Sequence, residues 1–136
     1  MAPQTRPKAI VGFQLAEDQK NYSQLISCYG SEVTTVGSFE ELQTAIGSNG
    51  ARVDYATYLF EAYLGRQGAA DFSPGIYVKN ALEDRIGSVE FIPVADTPEM
   101  VEKAQEAGLP CMLKQEALEY FTFKIHKRSQ ELRKTG

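Results

Sequence analysis

The feature that most constrains this chain is a repeated change of period. Short apolar or β-branched runs alternate with stretches whose apolar residues recur every three or four positions, five times over. The run KAIVGF (8–13) reads as a first strand after a Pro-bearing, frayed start over residues 1–6. Tyr22, Leu25, Ile26 and Tyr29 then fall at helical spacing, and Gly30 suits the end of that helix. EVTTV (32–36) is a β-branched second strand, and Ser38 is placed to cap a helix with the stripe Phe39, Leu42, Ala45, Ile46. SNGAR makes a turn before a third strand, VDYATYLF (53–60). A helix over 76–86, with Val78, Ala81, Leu82 and Ile86 as its apolar face, leads to a fourth strand, SVEFIPVA (88–95). Pro93 must lie near the end of that strand or at an irregularity, because it has no N–H for the ladder. Thr97 and Pro98 form a cap and first-turn pair for a helix reaching Ala107; LPCML (109–113) is a short fifth strand, and a long helix over about 115–133 follows.

Strands that alternate with helices in this way pack as a doubly wound α/β domain, a parallel sheet with helices on both faces and right-handed crossovers. Its site is expected at the carboxyl ends of the strands, in the loops after Phe13, Phe60, Ala95 and Leu113.

Composition excludes several classes. The 136 residues suit one domain, and a net charge of −4 gives no basic face for nucleic acid. No apolar run approaches the ~20 residues that span a bilayer. The start MAPQTRPKAIVGF lacks a signal-peptide core, so a cytoplasmic location is expected. Cys28 and Cys111, far apart and without a CxxC pair, read as two buried small hydrophobes. His126 is the only histidine, and there is no GxGxxG fingerprint or P-loop, so the chain is expected to use no cofactor and no metal.

Two anchors carry the functional reading. In YLFEAYLGRQG (58–68) an apolar strand runs into Glu61 and a Leu-Gly turn; in AGLPCMLKQEAL (107–118) a short strand runs into Lys114. With five βα units over residues 7–126, this layout resembles the receiver domain of bacterial two-component response regulators. The resemblance implies a flavodoxin-like fold, five helices around a five-stranded sheet of order 2-1-3-4-5. It also implies a phosphorelay pocket in which Glu61 stands at the phosphoacceptor aspartate and Lys114 at the family's lysine. Residues 127–136 are then the extended end of the last helix, or a linker.

Within that resemblance the catalytic pattern is damaged. An aspartyl acceptor needs Mg²⁺ held by further carboxylates and a lysine against the transferring charge. The acidic pair expected after strand one is Phe13 and Gln14 here, and the hydroxyl residue expected at the end of strand four falls near Pro93 to Ala95. Thr97 is either a shifted switch residue or a helix cap. Glu17 and Asp18 are either displaced metal ligands or first-turn acids complementing the helix dipole. Cys111 replaces the family's aromatic, and Gln115 replaces the proline after the lysine.

The expectation is therefore a pseudo-receiver, not an enzyme, that acts by protein–protein contact without normal phosphorylation. Its output is expected through a protein partner or a homodimer on the helix 4–strand 5–helix 5 face, with Cys111, Tyr120, Phe123 and His126 in the contact surface. Leu118, Phe121, Ile125 and Leu132 give the last helix a core-facing stripe. The alternatives are a genuine receiver with atypical ligands and a flavodoxin-like ligand-binding domain.

Overall fold

The computed structural model describes residues 7–46, 55–64 and 71–135, without the side chains of 83–85, 129 and 131–135. The frayed start, the SNGAR turn, the first residues of the third strand, the loop segment GRQGAA, Leu132 of the helical stripe and the side chains at the chain end lie outside the described residues.

Five strands, β1 (Lys8–Gly12), β2 (Glu32–Val36), β3 (Tyr55–Glu61), β4 (Glu90–Ala95) and β5 (Met112–Leu113), form one parallel sheet of order β2-β1-β3-β4-β5. The helices α1 (Ala16–Cys28), α2 (Phe39–Ile46), α3 (Ser73–Leu82), α4 (Pro98–Glu106) and α5 (Lys114–Thr135) alternate with the strands, as the period changes require. Three elements depart from the sequence reading. β3 extends to include Glu61, β5 is only two residues long, and α3 starts earlier and runs into a 3₁₀ segment, Glu83–Ser88.

Strand alternation divides the interior. Ala9, Val11, Phe13, Leu59, Ile92 and Val94 meet Tyr22 and Ile26 of α1 and Ala117 and Phe121 of α5. Ile10, Tyr58 and Phe60 meet Leu42 and Ile46 of α2 and Val78 and Leu82 of α3. A third cluster, including Ala62, Tyr63, Ala95, Ala104, Leu109 and Cys111, fills the carboxyl end under α4. Successive residues of β1 thus serve opposite faces, and that fixes its register.

Pro93 is tolerated inside β4 for a geometric reason. Ala62 N–H donates to the Val94 carbonyl, so Val94 addresses β3 and Pro93 addresses the opposite side. There β5 begins only at Met112, opposite Val94, and no ladder bond is lost.

The helix ends follow their local chemistry. Ser38 Oγ accepts from Glu41 N–H, and Thr97 Oγ1 from Met100 N–H. α1 and α4 both stop in the same motif: Gly30 at φ 106° and Gly108 at φ 92° donate to Ser27 and Gln105, and the next residue donates to Ile26 or Ala104. A side chain would be strained at either glycine.

Several burial expectations need correction. Cys28 is exposed at the end of α1, and only Cys111 is buried. Ala81 faces solvent. On α5 the buried stripe runs through Ala117 and Phe121, with Tyr120 packed beside it, while Leu118 is 44% exposed. No helix among the described residues is long and apolar enough to cross a membrane.

Candidate functional site

The topology brings the carboxyl ends of β1, β3, β4 and β5 together, and a lysine sits where they meet. Lys114, the first residue of α5, is held 14% exposed above the Phe13 ring, its Nζ 5.5 Å from the centroid. Phe13 is fully buried and stacks on Tyr22 at 4.4 Å, so an aromatic floor underlies the ammonium. Tyr22 in turn donates its hydroxyl to the Lys114 carbonyl at 3.2 Å.

Three carboxylates from three elements converge on that ammonium. Asp96 Oδ1, in the β4–α4 loop, lies 2.7 Å from Nζ; Glu61 Oε2, at the end of β3, lies at 2.9 Å; Asp18 Oδ2, in the first turn of α1, lies at 3.1 Å. An ammonium has three N–H donors, and each has an acceptor here. The acids are tied down as well. Glu61 Oε1 accepts the Gln14 backbone N–H at 2.7 Å, and Asp96 Oδ2 accepts the Tyr63 hydroxyl at 2.7 Å. Glu61 therefore has both oxygens engaged, in a pocket where it is only 4% exposed.

Electrostatics follow from that packing. Burial alone would lower the Lys114 pKa, but Asp96, Glu61 and Asp18 outweigh it and hold the group protonated well above its ordinary range. Burial would likewise raise Asp96, and the Lys114 ammonium with the Tyr63 hydroxyl reverses this and lowers it. Tyr63 moves far up, through burial and then through its bond to the Asp96 carboxylate. Tyr22 moves up through burial and the nearby Asp18 charge.

The sequence reading located Glu61, Lys114, Phe13 and Gln14 here, though Gln14 enters through its backbone N–H. Pro93 and Ala95 are buried strand residues without polar side chains. Thr97 is the cap of α4 and is exposed. The acid that β4 delivers is Asp96, which sequence reasoning passed over although the loop after Ala95 was one to inspect. Asp18 is more than a dipole partner: it accepts from the Lys114 ammonium at 3.1 Å.

The surface expectations divide. Phe123 (68%) and His126 are exposed. Cys111 is buried, its thiol pushed up to about 11 by burial, and it is not a contact residue. Tyr120 packs against Phe121 and donates its hydroxyl to Glu90 at 2.8 Å, on the flank of α5 that also carries Lys124. An open cleft of about 540 Å³ adjoins the cluster, lined by Tyr22, Asp96, Lys114 and Leu118 among others.

The donor set does not suit the Mg²⁺ that the receiver resemblance implies. Hard cations of this kind need several free oxygens in near-octahedral array. The point on which Asp18, Glu61 and Asp96 converge is filled by the Lys114 ammonium, 2.7–3.1 Å from an oxygen of each.

A five-stranded doubly wound parallel sheet of order β2-β1-β3-β4-β5, with a charged pocket at the strand ends, defines the class: a flavodoxin-like fold. No family model and no curated protein matches the sequence. Solved structures do match. A response regulator receiver protein from Pseudoalteromonas atlantica superposes with a TM-score of 0.59 at 16% identity, covering 90% of this chain and 99% of that one. A response regulator receiver domain protein from Clostridium thermocellum gives a TM-score of 0.59 at 15% identity, covering 91% and 98%. At such identity the likeness is one of fold.

Proposed function

We propose that this chain is a receiver-fold signalling module that works by contact with a protein partner, in the cytoplasm, with its phosphorylation switch replaced by a permanent ion cluster. One observation carries the reading: the ammonium of Lys114 is saturated by Glu61, Asp18 and Asp96. Phosphoryl transfer relies on a free nucleophile, a metal and a lysine able to meet developing charge. Here the lysine is already neutralised, and the Glu61 oxygens are both hydrogen-bonded. The arrangement also joins elements that a switch would otherwise join only when charged, since α1, β3, the β4–α4 loop and α5 share one lysine. The module then presents one constant surface, and the face built on α4, β5 and α5 is its output. It does so without catalysing a reaction.

The test is incubation with acetyl phosphate and Mg²⁺, read by intact mass, alongside amide NMR spectra with beryllofluoride. We expect no acyl phosphate and no beryllofluoride-induced change near Glu61 or Lys114. A Mg²⁺-dependent acyl phosphate that disappears in Glu61→Gln would overturn the proposal and make this a working receiver with atypical ligands.

A further inference from the structure

The sheet has two edges, and they are built differently. β5 is two residues long and lies just after Pro110. Side chains take up the backbone groups beside it: Gln105 Nε2 donates to the Cys111 carbonyl at 3.1 Å, and the Leu113 N–H donates to Glu116 Oε1 at 3.0 Å. Short length, proline and a covering of side chains are common protections of a sheet edge. β2, at the other edge, has none of them. It is five residues long, pairs with β1 without a register shift, and reads Glu-Val-Thr-Thr-Val, with no proline, lysine or glycine.

Backbone direction decides what fits this edge. The Glu32 N–H donates to the Pro7 carbonyl and the Val36 carbonyl accepts from Phe13, so Glu32, Thr34 and Val36 address β1. Val33 and Thr35, between them, turn their N–H and C=O outward, where no strand among the described residues pairs with them. A second β2 running antiparallel, with the two-fold axis at Thr34, sets Val33 of one copy opposite Thr35 of the other. Each such pair exchanges both N–H···O bonds. Thr34 meets its counterpart and Glu32 falls opposite Val36, so no like charges oppose each other. The helices above also fit. α1 lies against both β1 and β2, so strands about 4.8 Å apart bring the two α1 axes to about 10 Å, an ordinary helix-packing distance. Asp18 and Leu25 turn toward α5, and at 100° per residue the opposite flank of α1, above the edge, carries Ala16, Lys20, Ser23 and Ser27. Ser23 is midway along α1, as Thr34 is midway along β2. Its Oγ is buried and has no hydrogen-bond partner among the described residues. Across the axis it would meet a second Ser23, and a hydroxyl both donates and accepts.

We propose that β2 is a self-pairing edge, through which two copies of this chain join β2 to antiparallel β2 so that one sheet runs through both. The contact is isologous and closes on itself, because it consumes the open edge of each copy. It leaves α4, β5 and α5 of each copy at the two far ends of the joined sheet, free for another partner. A short strand and one helix flank bury less than the roughly 1,200 Å² of a standard interface, so the dimer is a weak one that dissociates on dilution. The proposal is independent of the Lys114 pocket and stands whether or not Glu61 accepts a phosphoryl group.

Sedimentation velocity of the full chain from micromolar to millimolar concentration, with amide hydrogen exchange measured at both limits, tests it. The native protein is expected to shift from monomer to dimer and no further. The Val33 and Thr35 amides are expected to be protected only in the dimer, and those of Thr34 and Val36, which face β1, in both states. Thr35→Pro removes an outward N–H and no bond to β1, so it should keep a native circular dichroism spectrum and raise the dissociation constant about tenfold or more. Thr34→Lys, at an exposed position, sets two ammonium groups against each other at the axis; it should have a similar effect, and it decides the matter if the proline variant loses its fold. A chain that stays monomeric at millimolar concentration overturns the proposal and leaves the edge to water or to an extended segment of another protein. So does a dimer indifferent to Thr34→Lys, a series of larger oligomers, or concentration-dependent protection that falls on α5 instead of β2. None of these results touches the phosphorylation test above.

Discussion

Two lysines on one helix hold the two ends of this domain, and they do so differently. Lys114, at the start of α5, lies at the carboxyl edge of the sheet among three carboxylates. Lys124, ten residues on, lies at the amino edge with a single acid, Glu90, at 2.9 Å. Aromatic rings supply the rest: Nζ is 4.6 Å from the Tyr120 centroid and 5.8 Å from that of Tyr29, and Arg128 lies over Tyr29 at 5.3 Å. Glu90 also accepts from the hydroxyls of Tyr120 and Thr57. The Lys124 side chain is 37% exposed, against 14% for Lys114. The amino-edge cluster is a clamp that fastens α5 to α1 and β4. The carboxyl-edge cluster concentrates charge where it is hardest to neutralise, and such concentrations belong to sites.

The contrast is broken most directly at Lys114. In Lys114→Met, Glu61 stays buried with no cation, and Asp18 and Asp96 face the same gap. Removing one partner of a buried ion cluster costs about 3–5 kcal/mol, because the remaining charge has no compensation. Urea denaturation at neutral pH is expected to show a loss of that size. A loss of less than about 1 kcal/mol would mean that the cluster is effectively solvated, and the lock would have no energetic content.

How much of this was legible before the fold was known depends on where each partner comes from. The alternation of strand and helix, the caps at Ser38 and Thr97 and the stop at Gly30 are local signals, and they placed the elements. That Glu61 and Lys114 share one pocket was also readable, because both stand at strand ends that a parallel sheet brings together; that they pair, rather than leave Glu61 a solvated loop acid, was not. Asp18 was not. Its helical position explains an acid by the dipole alone, and nothing local announces a partner at position 114. Asp96 was missed for a related reason: a hydroxyl residue was sought at the end of β4, and an acid one position past Ala95 fell outside the template. The stripe of α5 failed differently. The true inward side uses Ala117 and Phe121 with the stems of Lys124 and Arg128 lying over aromatic rings, and a hydrophobicity pattern scores those cations as solvent-facing. Leu118, which fits a pattern through Phe121 equally well, was assigned inward in their place.

Acid sharpens the comparison, since each cluster contains one carboxylate with a depressed pKa. Asp96 is held below its ordinary value because Lys114 and Tyr63 outweigh the effect of burial. In Glu90, Lys124 and Tyr120 outweigh it. A group with a lowered folded pKa stabilises fully above its unfolded value, and that contribution disappears as pH falls through the folded value. Stability is therefore expected to hold down to the ordinary carboxylate range near 4 and to decline below it, in two separable shares. Tyr63→Phe should reduce the share of Asp96, and Lys124→Met the share of Glu90. Urea midpoints measured across this range in the native protein and both variants give the division. Asp96 is more than half exposed, so its share is the more screened by solvent. Equal slopes in all three proteins would show that neither carboxylate governs the acid limb.

The smallest effect is expected from Lys124→Met at neutral pH. Met keeps an unbranched apolar stem over the rings of Tyr29 and Tyr120, so most of the packing survives. Glu90 keeps two hydroxyl donors, from Tyr120 at 2.8 Å and Thr57 at 3.2 Å, and is therefore not left bare when the ammonium goes. What disappears is one partly exposed ion pair and its cation–π contacts, together worth about 1 kcal/mol. The same urea measurement used for Lys114→Met applies, so the two lysines are compared on one scale. A cost for Lys124→Met equal to that for Lys114→Met would remove the distinction between clamp and lock. It would mean that α5 is fastened equally at both ends, and that the three acids around Lys114 reflect stability rather than a site.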